Sequence, residues 1–172
     1  MKTELATFPR ISIRPLRRSD LCQVSSIEQT VASDPWSLEM FESQFDVYAH
    51  GRYWLAAQSS GRVIGYGGLT LAAGDAHLLN IGVFPPAQRQ GTGRQLLAAL
   101  LLRAVESGAV NATLEVRPSN VAALALYKRF GFSAAGTRPN CYQDGGDALI
   151  MWAKRIVEPE YVLSLTEMGR PA

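Results

Sequence analysis

Cysteine is scarce, with only Cys22 and Cys141 in 172 residues. Two thiols build no disulfide scaffold, and their separation has no metal-ligand spacing. Charge is sparse and nearly balanced. Charged residues make up 19% of the chain, below the roughly 25% usual in soluble domains. Seventeen Lys and Arg against 15 Asp and Glu leave a net charge of +2, which gives no electrostatic footprint for nucleic acid. Long apolar runs are missing as well. The longest, Leu96 to Leu102, falls far short of the roughly 20 residues that span a bilayer, so no membrane partner is expected. Residues 1–13 show no apolar core flanked by a cleavage site, so no signal peptide is expected. Internal repeats and low-complexity segments are also lacking. Apolar residues nevertheless reach 47%, which excludes intrinsic disorder of the whole chain. The length suits about one domain of roughly 150 residues, and the expectation is a cytoplasmic protein.

Punctuation and periodicity divide the chain into alternating strands and helices. Ile11, Ile13 and Leu16, interrupted by Pro15, read as a short edge strand, where proline is tolerated. Ser19 is placed as an N-cap, followed by Leu21, Val24, Ile27 and Val31 at helical spacing. Asp34-Pro35-Trp36-Ser37 breaks that helix and opens another, with Leu38, Phe41 and Phe45 as its buried face. Residues 53–58 and 63–71 read as strands joined by Ser59-Ser60-Gly61-Arg62. Gly65, Gly67 and Gly68 in the second of these point to a bulge or a close backbone contact. A strand over 77–84 stops at Pro85-Pro86. A helix over about 93–107 turns Leu96, Leu97, Leu100, Leu101 and Ala104 inward and stops at Gly108. Then come a strand over 112–116, a helix capped by Asn120 and ended by Gly131, and an antiparallel pair over 132–137 and 148–153. This is an α/β (α+β) sheet domain over 1–157. Residues 158–172 show little periodicity and read as a loosely held tail.

The most informative stretch runs from Asn80 to Arg94, a strand, a glycine-rich basic turn, then a helix. The first N–H groups of that helix have no intrahelical partner and, with the helix dipole, suit an anion. Gly91 and Gly93 allow close backbone approach, and Arg89 and Arg94 add positive charge. By itself a glycine pair before a helix is more often an ordinary helix entry. Gln88-Arg-Gln-Gly-Thr-Gly93 lacks the spacing of a dinucleotide fingerprint, and no Lys-Ser or Lys-Thr follows to complete a Walker loop.

The pattern Gln88-x-x-Gly91-x-Gly93 resembles the acyl-coenzyme A signature of the GNAT acetyltransferase superfamily. Two further stretches are similar to its RimI-type branch, the bacterial ribosomal-protein alanine N-acetyltransferases: Leu114-Glu-Val-Arg-Pro-Ser-Asn-Val-Ala-Ala-Leu-Ala-Leu-Tyr-Lys-Arg-Phe-Gly-Phe132, and Ile27-Glu28 with Asp34-Pro-Trp-Ser37. The likeness runs from about Ile11 to Ala153. It implies a mixed sheet of about seven strands flanked by about four helices and splayed at the acetyl-CoA site. It also implies direct acetyl transfer from acetyl-CoA, with no metal, to the N-terminal alanine of a ribosomal protein by a monomer or weak dimer. Acetylation of lysine side chains or small-molecule amines, and a non-catalytic acyl-CoA-binding module, are the alternatives.

The resemblance also assigns residues. Backbone of Ile81, Gly82 and Val83 would pair with the pantetheine arm. The turn Gln88, Arg89, Gln90, Gly91, Thr92, Gly93 and Arg94 would hold the pyrophosphate, and Asn120 would also touch the coenzyme. Glu115 is implied as general base. A strand places it opposite Leu114 and Val116, where the residues alone favour a carboxylate paired with Arg117. Tyr127 is implied as general acid, since a phenol of pKa about 10 can protonate a thiolate of pKa about 8.5; as a residue it also fits an amphipathic core position beside Leu124. Glu28, Trp36, Asn80 and Tyr142 are implied near the acceptor peptide. Without the resemblance, Glu28 is as readily a solvated helix residue and Trp36 a core anchor. Cys141-Tyr142 stands where relatives commonly carry two aromatic residues, which bears on acceptor preference. A covalent acetyl-cysteine at Cys141 is disfavoured by the lack of a nearby histidine in the sequence, and His77 reads as structural.

Overall fold

Strands β1 (Ser12–Pro15), β2 (Arg52–Ser59), β3 (Arg62–Ala72), β4 (Asp75–Val83), β5 (Asn111–Val116), β6 (Ser133–Arg138) and β7 (Ala148–Ala153) join in one sheet. Its order is β1-β2-β3-β4-β5-β7-β6. Helices α1 (Leu21–Val31), α2 (Leu38–Asp46), α3 (Thr92–Glu106), α4 (Val121–Arg129) and α5 (Pro159–Met168) complete the chain. These elements come from a computed structural model that describes residues 8–46 and 51–171. Among the described residues, no helix is long and apolar enough to cross a membrane.

Two-residue alternation and turn chemistry account for the first half of the sheet. β2 and β3 pair antiparallel through the turn at Ser60 and Gly61, where Gly61 holds φ +78°. β4 then returns antiparallel to β3, with a register shift at Gly68/Leu69. The glycines of β3 are there because side chains cross it closely. A Cβ at Gly68 would lie 2.4 Å from the Trp54 ring. Gly68→Ala is therefore expected to destabilise the fold by about 1–3 kcal/mol through overpacking, read as a lower denaturation midpoint.

The decisive feature for the site is a change of pairing along β4. It stays bonded to β3 as far as Val83, while its parallel pairing with β5 covers only Asp75–His77 against Asn111–Thr113. A parallel pair needs a crossover, here α3, and beyond the third pair the two strands separate. β7 inserts antiparallel between β5 and β6 and closes the far side.

Helix α3 is buried on more than one side. Leu96, Leu97, Leu100, Leu101 and Ala104 are all buried, as expected, and so are Ala98 and Gln95. The sheet covers one face and α5 the other. This overturns the reading of 158–172 as a loose tail: residues 159–168 form a docked helix with Leu165 fully buried. Pro159 at the first turn starts α5, and Tyr161, Leu165 and Met168 form its apolar stripe against the core. The helix count is thus five among the described residues, where about four were expected. Two smaller corrections concern helix entries. Ser19 lies in a 3-10 turn, and Asp20 does the capping there, accepting the Arg17 N–H at 2.8 Å and pairing with Arg14 at 2.7 Å. On α2 only Phe41 of the expected face is fully buried; Leu38 is exposed.

Candidate active site

The separation of β4 from β5 opens a cavity of about 410 Å³. Three groups of residues face it. Asn80 and Ile81 come from β4, and Glu115 from β5. Asn120 and Tyr127 come from the start and body of α4; Glu28, Trp36 and Tyr142 come from α1 and two loops. Eight of the residues expected at the site therefore meet around one space.

Glu115 sits as strand alternation requires, exposed between buried Leu114 and Val116. Its partner is not Arg117. Arg138 of β6 donates to Oε1 at 2.8 Å, and the Cys141 thiol donates to Oε2 at 3.3 Å. Arg117 instead pairs with Asp144 at 2.9 Å and lies over the Tyr142 ring, 3.8 Å from its centre. These contacts fold the 139–147 loop against the cavity, and Asp34 accepts the Gln143 N–H across its mouth at 3.4 Å. Burial pushes the Cys141 thiol above its ordinary pKa, and the bond to Glu115 adds to the shift. The thiol is thus held protonated, which disfavours it as a nucleophile.

Tyr127 is buried beneath the cavity, with its ring tilted against Phe132 at 5.9 Å. The Asn120 side chain fixes α4 by accepting the Ala123 N–H at 3.2 Å. Burial drives the Tyr127 phenol well above its ordinary pKa, with Tyr142 adding to the effect, so it remains a proton donor across the working range.

Glu28 is not a solvated helix residue. It is 2% exposed, and its carboxylate accepts from the Trp36 N–H at 3.0 Å, from Asn80 Nδ2 at 3.1 Å and from the Tyr66 hydroxyl. A buried carboxylate needs this many donors. Trp36 packs as a core anchor would, its ring 5.3 Å from Phe41 and 5.9 Å from Trp54, and the residue also borders the cavity. Tyr66 and Arg138 were not singled out from the sequence, and Asp34 stood there only as part of the segment Asp34-Pro-Trp-Ser37. Tyr66 sits opposite Gly82 in register, and a Cβ at Gly82 would lie 2.6 Å from its hydroxyl. Glycine at 82 thus makes room for the tyrosine that donates to Glu28.

The turn over 88–94 lies beyond the cavity, at the end of β4. Gly91, at φ +84°, precedes α3, and no side chain caps that helix. Its first amides, which have no intrahelical partner, thus meet no capping side chain among the described residues. The turn holds its own shape: Gln88 Nε2 donates to the Val83 carbonyl at 3.0 Å, Thr92 Oγ1 to Ala87 at 3.0 Å, and Gln90 Nε2 to Pro86 at 2.9 Å. Arg89 adopts φ +61° and is exposed. Arg94 departs from expectation, because its guanidinium turns to carbonyl groups at the end of α5. An open β4 edge over Leu78–Val83 and an uncapped helix start fit an extended chain ending in phosphates. Among the described residues, no three His, Cys, Asp or Glu side chains group as metal ligands would.

Residues 21–132 match the acetyltransferase (GNAT) family. A ribosomal protein bS18-alanine N-acetyltransferase of Escherichia coli is 38% identical over 145 residues, covering 81% of this chain and 95% of that one. An N-alpha-acetyltransferase RimI of Mycobacterium tuberculosis is 36% identical over 148 residues, covering 82% and 90%. The crystal structure of the ribosomal-protein-S18-alanine N-acetyltransferase from Escherichia coli superposes with a TM-score of 0.76 at 35% identity, covering 85% of this chain and 94% of that one.

Proposed function

The chain belongs to the GNAT acetyltransferase family, and on that premise we propose that it moves an acetyl group from acetyl-CoA to the N-terminal alanine amine of a ribosomal protein. The observation that carries this reading is the cavity between β4 and β5, where Glu115 and Tyr127 face one space beside an unpaired strand edge. The acceptor follows from relatives that bear that activity in their names.

Acetyl-CoA supplies an already activated thioester, so no metal enters the reading. The chain's residues do the rest. The β4 backbone at Ile81, Gly82 and Val83 lines up the pantetheine arm, and the 88–94 amides hold the pyrophosphate at the positive end of α3. Glu28, Trp36, Asn80 and Tyr142 border the slot through which the acceptor peptide enters, and Asn120 touches the coenzyme while capping α4. An α-amine has a pKa of about 7.7–8.0, so a carboxylate near neutral pH suffices to take its proton. Glu115 takes that proton as the new C–N bond forms, and a strand amide near Val83 holds the developing oxyanion. The C–S bond breaks, and Tyr127 donates its phenolic proton to the departing sulfur. Solvent then returns a proton to Tyr127 and removes one from Glu115. The setting is cytoplasmic, the protein a monomer or weak dimer, and neither nucleic acid nor membrane takes part.

Acetyl-CoA with a peptide beginning Ala-Arg, followed by intact-mass measurement, tests the acceptor. One acetyl group is expected on the free N-terminus and none on the same peptide blocked but carrying lysine. Acetylation of the blocked peptide would move the function to lysine. No product on either peptide, despite coenzyme binding, would leave small amines or a binding module.

A further inference from the structure

Helix α5 ends against the turn that opens α3. The Arg94 guanidinium donates to the Met168 carbonyl and, at 3.0 Å, to the Arg170 carbonyl. The last carbonyl groups of a helix lack intrahelical partners and carry the negative end of its dipole, so a cation is favoured there. The same guanidinium lies against the back of the turn, where a Cβ at Gly91 would come 3.0 Å from one of its terminal nitrogens. Arg94 is therefore held between α5 and the residue that sets the path into α3.

α5 is anchored independently of this contact. Leu165 is fully buried, Tyr161 donates to the Phe130 carbonyl at 2.7 Å, and at the helix end a Cβ at Gly169 would lie 3.4 Å from that of Ala98. None of α5 lines the cavity, and it lies outside the residues that match the family.

We propose that Arg94 is a positioning residue through which α5 holds the 88–94 turn in its anion-binding shape, so that this C-terminal helix sets affinity for the coenzyme's pyrophosphate. The inference rests on the turn being the coenzyme site. It replaces a direct phosphate contact by the Arg94 side chain, whose terminal nitrogens are engaged by Met168 at the end of α5 and by Arg170 just past it. The two roles differ in what α5 contributes. A direct ligand works whether or not α5 is docked, whereas a positioning residue works only through it.

The test uses the full-length chain as wild type, Arg94→Ala, Leu165→Ala and the double variant. Each is assayed with acetyl-CoA and with acetyl-pantetheine, which lacks the pyrophosphate. Loss of one or two hydrogen bonds of ordinary strength predicts a KM for acetyl-CoA raised about 2- to 150-fold by Arg94→Ala. Leu165→Ala raises it in the same direction, and the double variant is no worse than the larger single effect. The KM for acetyl-pantetheine stays put in all of them, and Arg94→Lys recovers part of the loss. An unchanged KM in Leu165→Ala, or effects that multiply, would overturn the proposal. Hydrogen exchange on wild type and Arg94→Ala keeps it testable if Leu165→Ala does not fold. Reciprocity requires acetyl-CoA to raise amide protection over Thr166–Gly169 in wild type and not in Arg94→Ala; equal protection in both sinks it. A wild type that handles acetyl-CoA no better than acetyl-pantetheine instead removes the coenzyme reading of the turn.

Discussion

Glu115→Gln is expected to bind acetyl-CoA as the wild type does and to lose turnover by about 10²- to 10⁴-fold, the usual contribution of a positioned general base. The substitution is close to isosteric. A glutamine can still accept from Arg138 through its one oxygen and turn its Nε2 as a donor toward the Cys141 sulfur, so it keeps contact with both partners of the carboxylate, but it cannot take a proton from an amine. Stability gives the control. β5 is held by its backbone ladder to β7 and by buried Leu114 and Val116, while the Glu115–Arg138 pair is well exposed on both side chains. Exposed pairs contribute little to stability, so the thermal midpoint should not move. A purely structural Glu115 predicts full turnover in Glu115→Gln. Measuring kcat by thiol release, with acetyl-CoA affinity by calorimetry, separates the two, and unchanged kcat would remove Glu115 from the mechanism.

The sheet was legible because its signals are local. Pro85-Pro86 ends β4, Gly108 stops α3, and Asn120 caps α4 through its own side chain. The Gln88–Arg94 turn was legible for the same reason, as contiguous residues on either side of a helix start. What stayed hidden depends on contacts between distant segments. Arg138 reaches Glu115 across β7, 23 residues away in sequence, whereas Arg117 looked closer only because it is two residues along the same strand. Glu28 is buried by Tyr66 and Asn80, 38 and 52 residues away, and helical spacing says nothing of such partners. The docking of α5 did leave a trace. Leu96, Leu97, Ala98, Leu100 and Leu101 cover a wider arc of α3 than one sheet face can bury, and a helix apolar on several sides needs a second cover. Tyr161, Leu165 and Met168, at helical spacing after Pro159, supply it.

Tyr127→Phe is expected to cost as much turnover as Glu115→Gln while leaving both KM values near wild type. The ring is what the fold uses: it is buried, packs against Phe132, and remains in Phe. The hydroxyl is what the chemistry uses. A thiolate of pKa about 8.5 leaves more easily with a proton donor at hand, and removal of such a donor typically costs about 10²- to 10⁴-fold. Burial raises the phenol above its ordinary pKa, which fixes the sign of the pH effect. A group with a raised pKa keeps its proton as pH rises past the ordinary value, so Tyr127 should not produce a falling alkaline limb near pH 10, where a solvated phenol would ionise. The proton-donor role itself predicts that replacing the leaving group matters. With an acetyl donor whose thiol has a lower pKa, the sulfur needs its proton less, and the gap between Tyr127→Phe and wild type should narrow. An equal gap for both donors would mean that the hydroxyl serves position or packing rather than proton transfer. A collapse of acetyl-CoA affinity in Tyr127→Phe would reassign it to coenzyme binding.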